Sequence, residues 1–131
     1  MRESGVLFPV CSLPGAYGIG CFSKEAYKLV DFLAKSGQSY WQILPVCPTG
    51  YGDSPYQSFS SFAGNPYFID LDELAAEGLL EPGEYVALDW GSDPARVDYG
   101  KLNENRYGVL RLAARRLLDD EPDAFGRFCS E

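Results

Sequence analysis

The sequence predicts an α/β fold, and three observations over residues 5–46 carry the prediction. "GVLFPV" (5–10) is a short apolar run bounded by Gly5 and by the turn-rich "SLPGAYGIG". "SKEAYKLVDFLAKSG" (23–37) has helical spacing, and "SYWQILPV" (39–46) is a second apolar run stopped by Pro45 and Pro48. Strand, glycine-rich loop, helix and strand form a βαβ unit. Such a unit places its two strands side by side in parallel, joined by a right-handed crossover.

Each element has a local reason. Both apolar runs read as buried strands. Ser23 is a good N-cap for the helix, with Glu25 in the first turn where a negative charge meets the helix dipole. Ala26, Leu29, Val30 and Leu33 fall on one face, and Gly37 suits the left-handed position that ends a helix. A polar-aromatic loop follows at 47–66. "YFIDLDEL" reads as an extended piece running into a short helix, and "AAEGLLEPGEY" (75–85) and "GSDPARVDYG" (91–100) read as loops. The last segment is helical: Tyr107, Leu110, Ala114 and Leu117 share a face, and Pro122 ends it. There is no internal repeat. Parallel sheets need cover on both faces, which one βαβ unit does not provide. The 85 residues from 47 onward show little further strand pattern. The expectation is therefore the N-terminal piece of a larger α/β protein.

Composition excludes several functions. The net charge is −8, so the basic footprint that nucleic acid or an anionic membrane demands is missing. The chain has no histidine, which removes Ser-His and Cys-His catalysis and the commonest metal ligand. Cys11, Cys21, Cys47 and Cys129 show no C-x-x-C spacing and read as free thiols. There is no signal-peptide pattern and no run near the ~20 apolar residues of a membrane span. A reducing cytoplasm is the expected location.

Two stretches invite a functional reading. "GAYGIG" lies between a strand and a helix, but its order is G-x-x-G-x-G rather than the dinucleotide fingerprint, and no Gly-Lys-Ser/Thr follows. It reads as a tight turn rather than a nucleotide site. "YGDSPYQSFS" (51–60) has three aromatics, three serines and no aliphatic residue. It follows the second strand, at the sheet edge where ligands of α/β proteins bind. Tyrosine rings can pack on the CH faces of a sugar, while Ser, Asp and Gln hydrogen-bond its hydroxyls. The residues alone leave a second reading open, an aromatic loop that merely packs on the domain. Among the carboxylates Asp53, Asp70, Asp72, Glu73 and Asp98, spacing singles out no catalytic pair; only Asp53 lies inside the loop.

"SLPG-x-YGIG", "YWQ-x-LP", "PTGYGDSPYQS" and "FAGNP", followed by "RVDYGKL" (96–102), closely resemble the N-terminal part of the 4-α-glucanotransferases (amylomaltases, glycoside hydrolase family 77). The resemblance implies a TIM barrel, a fold of ~250 residues that is incomplete in this chain. Residues 5–46 would be its first βαβ unit, 47–100 its substrate-cleft loops and 101–121 a helical segment. It implies transfer of α-1,4-glucan segments from maltooligosaccharide donors to glucose or glucan acceptors by a retaining double displacement. No metal or cofactor is implied, and no nucleic-acid or membrane partner. The family's catalytic carboxylates lie on later strands, so no catalytic residue is assigned here. Tyr56 and Ser54 match substrate-contacting positions, Asp53 orients the loop or a sugar hydroxyl, and Tyr51 matches an aromatic of a second glucan site. Asn103 stands where an aromatic would partner Tyr51. The alternative is a non-catalytic glucan-binding module built on the same loop.

Overall fold

The computed structural model describes residues 2–120 and 122–130. Strands β1 (Gly5–Leu7) and β2 (Tyr40–Gln42) pair in parallel, with Val6 opposite Trp41, and helix α1 (Lys24–Lys35) connects them. The expected order and pairing are present. The strands are shorter than 5–10 and 39–46, and the reason lies at Phe8. Its N–H continues the ladder to the Gln42 carbonyl at 2.9 Å, but its own carbonyl is taken by the Trp41 indole N–H at 2.7 Å. The chain then turns into a 3-10 turn at Val10–Ser12.

The strands are not buried, contrary to expectation. Side chains alternate between the faces of a strand. Trp41 and Phe8 pack with Val10, Leu13, Ala26 and Leu29 against α1. Leu7 and Tyr40 remain 56% and 59% exposed, because nothing among the described residues covers that side.

Helix α1 begins where Ser23 accepts the Glu25 N–H. It ends in a Schellman motif, with Gln38 N–H bonded to Leu33 C=O, Gly37 N–H to Ala34 C=O, and Gly37 at φ +72°. The predicted apolar face is rotated: Ala26 and Leu33 are buried, while Val30 is exposed.

The larger core lies beyond the βαβ unit. It is built from Ile19, Tyr67, Leu71, Leu79, Leu80, Tyr85, Trp90, Leu102, Val109 and Ala113. A 3-10 turn (Pro66–Phe68) runs into the short helix α2 (Leu71–Ala76), whose N-terminus is capped by Asp70 accepting the Asp72 N–H. Residues 75–85, expected to be plain loop, contain a 3-10 turn at Pro82–Glu84 and send Leu79, Leu80 and Tyr85 inward.

Helix α3 (Tyr99–Asp120) lays Leu102, Arg106, Val109 and Ala113 into this core. That is a different stripe from the expected Tyr107, Leu110, Ala114 and Leu117. Those four border an apolar groove on the surface instead. A hydrophobic pattern counts Arg106 as polar and so selects the wrong face. After residue 121, which lies outside the described residues, helix α4 (Pro122–Ser130) begins. Pro122 therefore opens a helix, as proline at a first helical position can, in addition to marking the end of α3.

Arg106 is fully buried without a carboxylate partner among the described residues. It donates from Nη1 to the Tyr17 carbonyl at 3.2 Å and from Nη2 to the Ile69 carbonyl at 2.5 Å, and its guanidinium carbon lies 6.0 Å from the Trp90 ring centroid. Its Nε has no partner. Burial pushes its pKa down.

A second tie is partly exposed. Arg116 meets Glu84 through two hydrogen bonds of 2.7 Å each and donates to the Leu79 carbonyl at 3.0 Å, while Glu84 also accepts the Glu81 N–H.

Two predictions follow from the packing. Leu102→Ala removes a fully buried side chain and should cost about 2–5 kcal/mol in chemical denaturation. The Arg116 hydrogen bonds, with the Glu81 N–H, hold the Glu84 carboxyl at about 2, below its ordinary 4.5. Its contribution is present above pH 4.5 and is lost as pH falls through about 2. Thermal melts should show Glu84→Gln less stable than the parent at pH 7, with the difference closing as pH falls toward 2.

Candidate functional site

The polar-aromatic loop leaves β2 and returns to its own start. Its neck is closed by the Asn65 N–H donating to the Val46 carbonyl at 2.8 Å. Asn65 is buried, and its side chain accepts the Tyr67 N–H at 3.0 Å, fixing the exit into the Pro66–Phe68 turn. Inside the neck the chain forms a hairpin-like fold. Thr49 and Ser58 make an antiparallel bridge, and the Gly50 N–H bonds to the Gln57 carbonyl at 3.1 Å. The tip holds Gly52 at φ +94° and Asp53 at φ +56°, two successive left-handed residues. Glycine and aspartate are among the few residue types that accept this conformation readily. Beyond the tip the Ser54 carbonyl accepts the Gln57 N–H at 3.1 Å, and Ser54 Oγ accepts the Tyr56 N–H at 3.3 Å. A serine relay completes the loop: Ser58 Oγ donates to the Ser60 carbonyl, and Ser60 Oγ accepts the Phe62 and Ala63 N–H groups.

The result is a backbone tied to itself that turns its rings outward. Tyr51, Tyr56, Phe59 and Phe62 are 104%, 72%, 77% and 102% exposed. Four large aromatic side chains left in water on one short loop contribute nothing to the core. Asp53 and Ser54 are half-buried between this fringe and the body. Asp53 also lines a small cavity with Cys11, Thr49, Asn65 and Tyr99. The structure thus places all four residues singled out in the sequence on one loop. Tyr51 and Tyr56 lie on its outside, and Asp53 and Ser54 at its turn.

Beneath the loop's exit sits an aromatic platform. Tyr67 packs against Tyr107 and Tyr99, with ring centroids 5.4 and 6.2 Å apart. Burial, followed by the neighbouring Tyr107, pushes the Tyr67 hydroxyl up to about 12, so it stays protonated. On the other side, Tyr17 and Tyr85 both donate to Asp72 Oδ1, at 2.6 and 2.9 Å. Burial and this carboxylate raise the pKa of both hydroxyls.

Of the other candidate carboxylates, Glu73 is exposed on α2 and three have structural partners. Asp70 caps α2, Asp72 holds the two tyrosines, and Asp98 accepts the Lys101 N–H at the start of α3. Asp53 remains the one acid inside the loop. No group of acids and cysteines among the described residues has metal-ligand geometry. No helix among them is long and apolar enough to cross a membrane.

Two residues that shape the site escaped the sequence reading. Asn65 had a signal, since an Asn-Pro pair marks a turn. Arg106 had none beyond its place between Leu102 and Val109.

Known proteins resemble this chain over nearly its whole length. A family model described as 4-alpha-glucanotransferase matches residues 8–131. The 4-alpha-glucanotransferase of Streptococcus pneumoniae (strain TIGR4) is 55% identical over 118 residues, covering 90% of this chain and 23% of that protein. That of Thermus thermophilus is 48% identical over 132 residues, covering 97% of this chain and 25% of the other. A solved structure of amylomaltase from Streptococcus agalactiae, in complex with acarbose, superposes with a TM-score of 0.90 at 48% identity. It covers 95% of this chain and 25% of that one. The chain spans about a quarter of the length of the relatives it matches. With nearly its whole length inside the family match, the chain belongs to the 4-alpha-glucanotransferases, glycoside hydrolase family 77.

Proposed function

We propose that the chain supplies the glucan-contacting loop of a 4-α-glucanotransferase. The enzyme moves α-1,4-glucan segments from a maltooligosaccharide donor to a glucose or glucan acceptor. The observation that carries this reading is the fringe of exposed aromatics on a loop whose backbone is held by its own hydrogen bonds. Such a surface suits a sugar: flat rings meet the CH faces of a pyranose, and fixed polar groups meet its hydroxyls. A preformed loop loses little entropy when the ligand arrives. The relative whose solved structure holds acarbose is consistent with a sugar at such a site.

In this reading residues 5–46 are the first βαβ unit of a TIM barrel. The loop after β2 then stands at the barrel's carboxyl-terminal mouth, where such enzymes place their active sites. Tyr56 stacks on a sugar ring and Ser54 hydrogen-bonds a hydroxyl. Asp53, held in the left-handed conformation, orients the turn or a sugar hydroxyl. Tyr51 offers a second, outer contact.

The chemistry is a retaining double displacement, which needs a nucleophilic carboxylate and an acid-base carboxyl about 5–5.5 Å apart across the scissile bond. The loop holds one acid, so the reacting pair comes from elsewhere in the enzyme. This chain's part is to bind and orient the glucan.

Titration of the chain with maltotriose, followed by amide NMR, tests the reading. Signals from residues 51–59 should move. Tyr56→Ala should weaken binding about tenfold, the loss of one stacking contact of about 1–1.5 kcal/mol. Its thermal stability should stay near that of the parent, because the side chain is 72% exposed. A Tyr56→Ala chain that binds maltotriose as the parent does would remove Tyr56 from the site.

A further inference from the structure

"GAYGIG" has no part in the loop described above, yet the structure gives it a setting. Residues 11–20 form one wall of an open cleft of about 600 Å³, and residues 90–97 form the other. None of residues 47–65 lines it. Its volume falls within the about 300–1,000 Å³ of small-molecule sites.

The walls are built to hold their distance. A Cβ added to Gly18 would lie 2.5 Å from the Trp90 carbonyl, and one on Gly20 would meet the Val10 and Leu13 carbonyls at 2.4 and 2.5 Å. Gly18 therefore lets the two walls meet at Trp90, and Gly20 lets the first wall fold on itself, as closely as only glycine permits. Tyr17 packs on Trp90 with ring centroids 6.0 Å apart. Behind both walls stands Arg106, bonded to the Tyr17 carbonyl and lying over the Trp90 ring.

The lining chemistry selects a class of ligand. Ser12 and Ser92 present hydroxyls, and Arg96 is an exposed cation with no ion-pair partner among the described residues. Asp93 spends one carboxylate oxygen on the Ala95 N–H and has the other to offer. One cation and one anion on the same wall leave no net charge, and the chain carries −8 overall, so an anion gains little here. No helix N-terminus reinforces the glycine-rich wall either, because α1 starts at Lys24 and is capped by Ser23. Donors and acceptors lining one cleft together with Leu13, Ile19 and Val97 match a neutral polyhydroxyl molecule.

The geometry points to this cleft as a second carbohydrate site, separate from the aromatic loop, that takes a glucan end of one or two residues. It rests on the glucan reading of the protein. Arg96 supplies a donor and Asp93 an acceptor for hydroxyls of the sugar.

Amide NMR of the 131-residue chain, titrated separately with maltose and with inorganic phosphate, tests the assignment. Maltose should move the signals of Gly15, Gly18, Gly91 and Ser92. It should still do so in a Tyr51→Ala/Tyr56→Ala chain, whose aromatic loop no longer stacks a sugar. Arg96→Ala should weaken the response at these signals about tenfold, as loss of one charge-assisted hydrogen bond does. Maltose shifts confined to residues 51–59 would overturn the cleft and leave the loop reading intact. Shifts of the cleft signals by phosphate but not by maltose would overturn the sugar assignment. No shift anywhere with maltose would overturn both.

Discussion

The structure turns on one buried cation. Arg106 holds a full charge in a place where desolvation works against it, with the field of Asp70 in its favour but no ion pair among the described residues. What it receives instead are two backbone carbonyls from segments far apart in sequence, at Tyr17 and Ile69, and the face of Trp90. Both bonds are part-buried, and a buried acceptor left unmet costs about 1–3 kcal/mol. The guanidinium solves three local problems with one side chain. In doing so it fixes where the glycine-rich loop, the exit of the aromatic loop and the 90–97 segment stand relative to α3. The core around it, from Leu71 to Ala113, is ordinary apolar packing that surrounds this polar centre.

Such an arrangement divides the molecule by function. The parallel pair β1–β2 and helix α1 set the direction of the chain, and the core on α3 supplies most of the burial. The loop at 47–65 draws on both. It springs from the end of β2, and Asn65 fastens its return to Val46 and to the turn that packs on Tyr107. Its aromatic side chains are thereby free of any packing duty.

Much of this was legible in the sequence, for identifiable reasons. The βαβ order follows from two apolar runs and a capped helix, and local rules govern all three. The aromatic loop was legible because its composition fits no secondary structure. The core face of α3 was not legible. A hydrophobicity pattern scores arginine as solvent-seeking, and only the distant carbonyls of Tyr17 and Ile69 make burial at position 106 tolerable. The exposure of Leu7 and Tyr40 was hidden for a related reason. An apolar strand reads as buried whether or not the cover for its second face is within the described residues. The inward turn of Leu79, Leu80 and Tyr85 lay hidden behind Gly78, Pro82 and Gly83, residues that announce a loop but say nothing about the direction of its neighbours.

The closed neck of the aromatic loop makes it an interchangeable cassette. A loop whose ends are pinned by one backbone hydrogen bond, and whose interior bonds are mostly its own, can change its outward residues without asking the core to repack. Lengthening it is also inexpensive, since each doubling of loop length costs only about 0.6 kcal/mol in closure entropy. Evolution can therefore change Tyr51, Tyr56, Phe59 and Phe62 while the rest of the fold stays as it is, which on the glucan reading proposed above retunes the grip on the sugar, and a protein engineer can do the same.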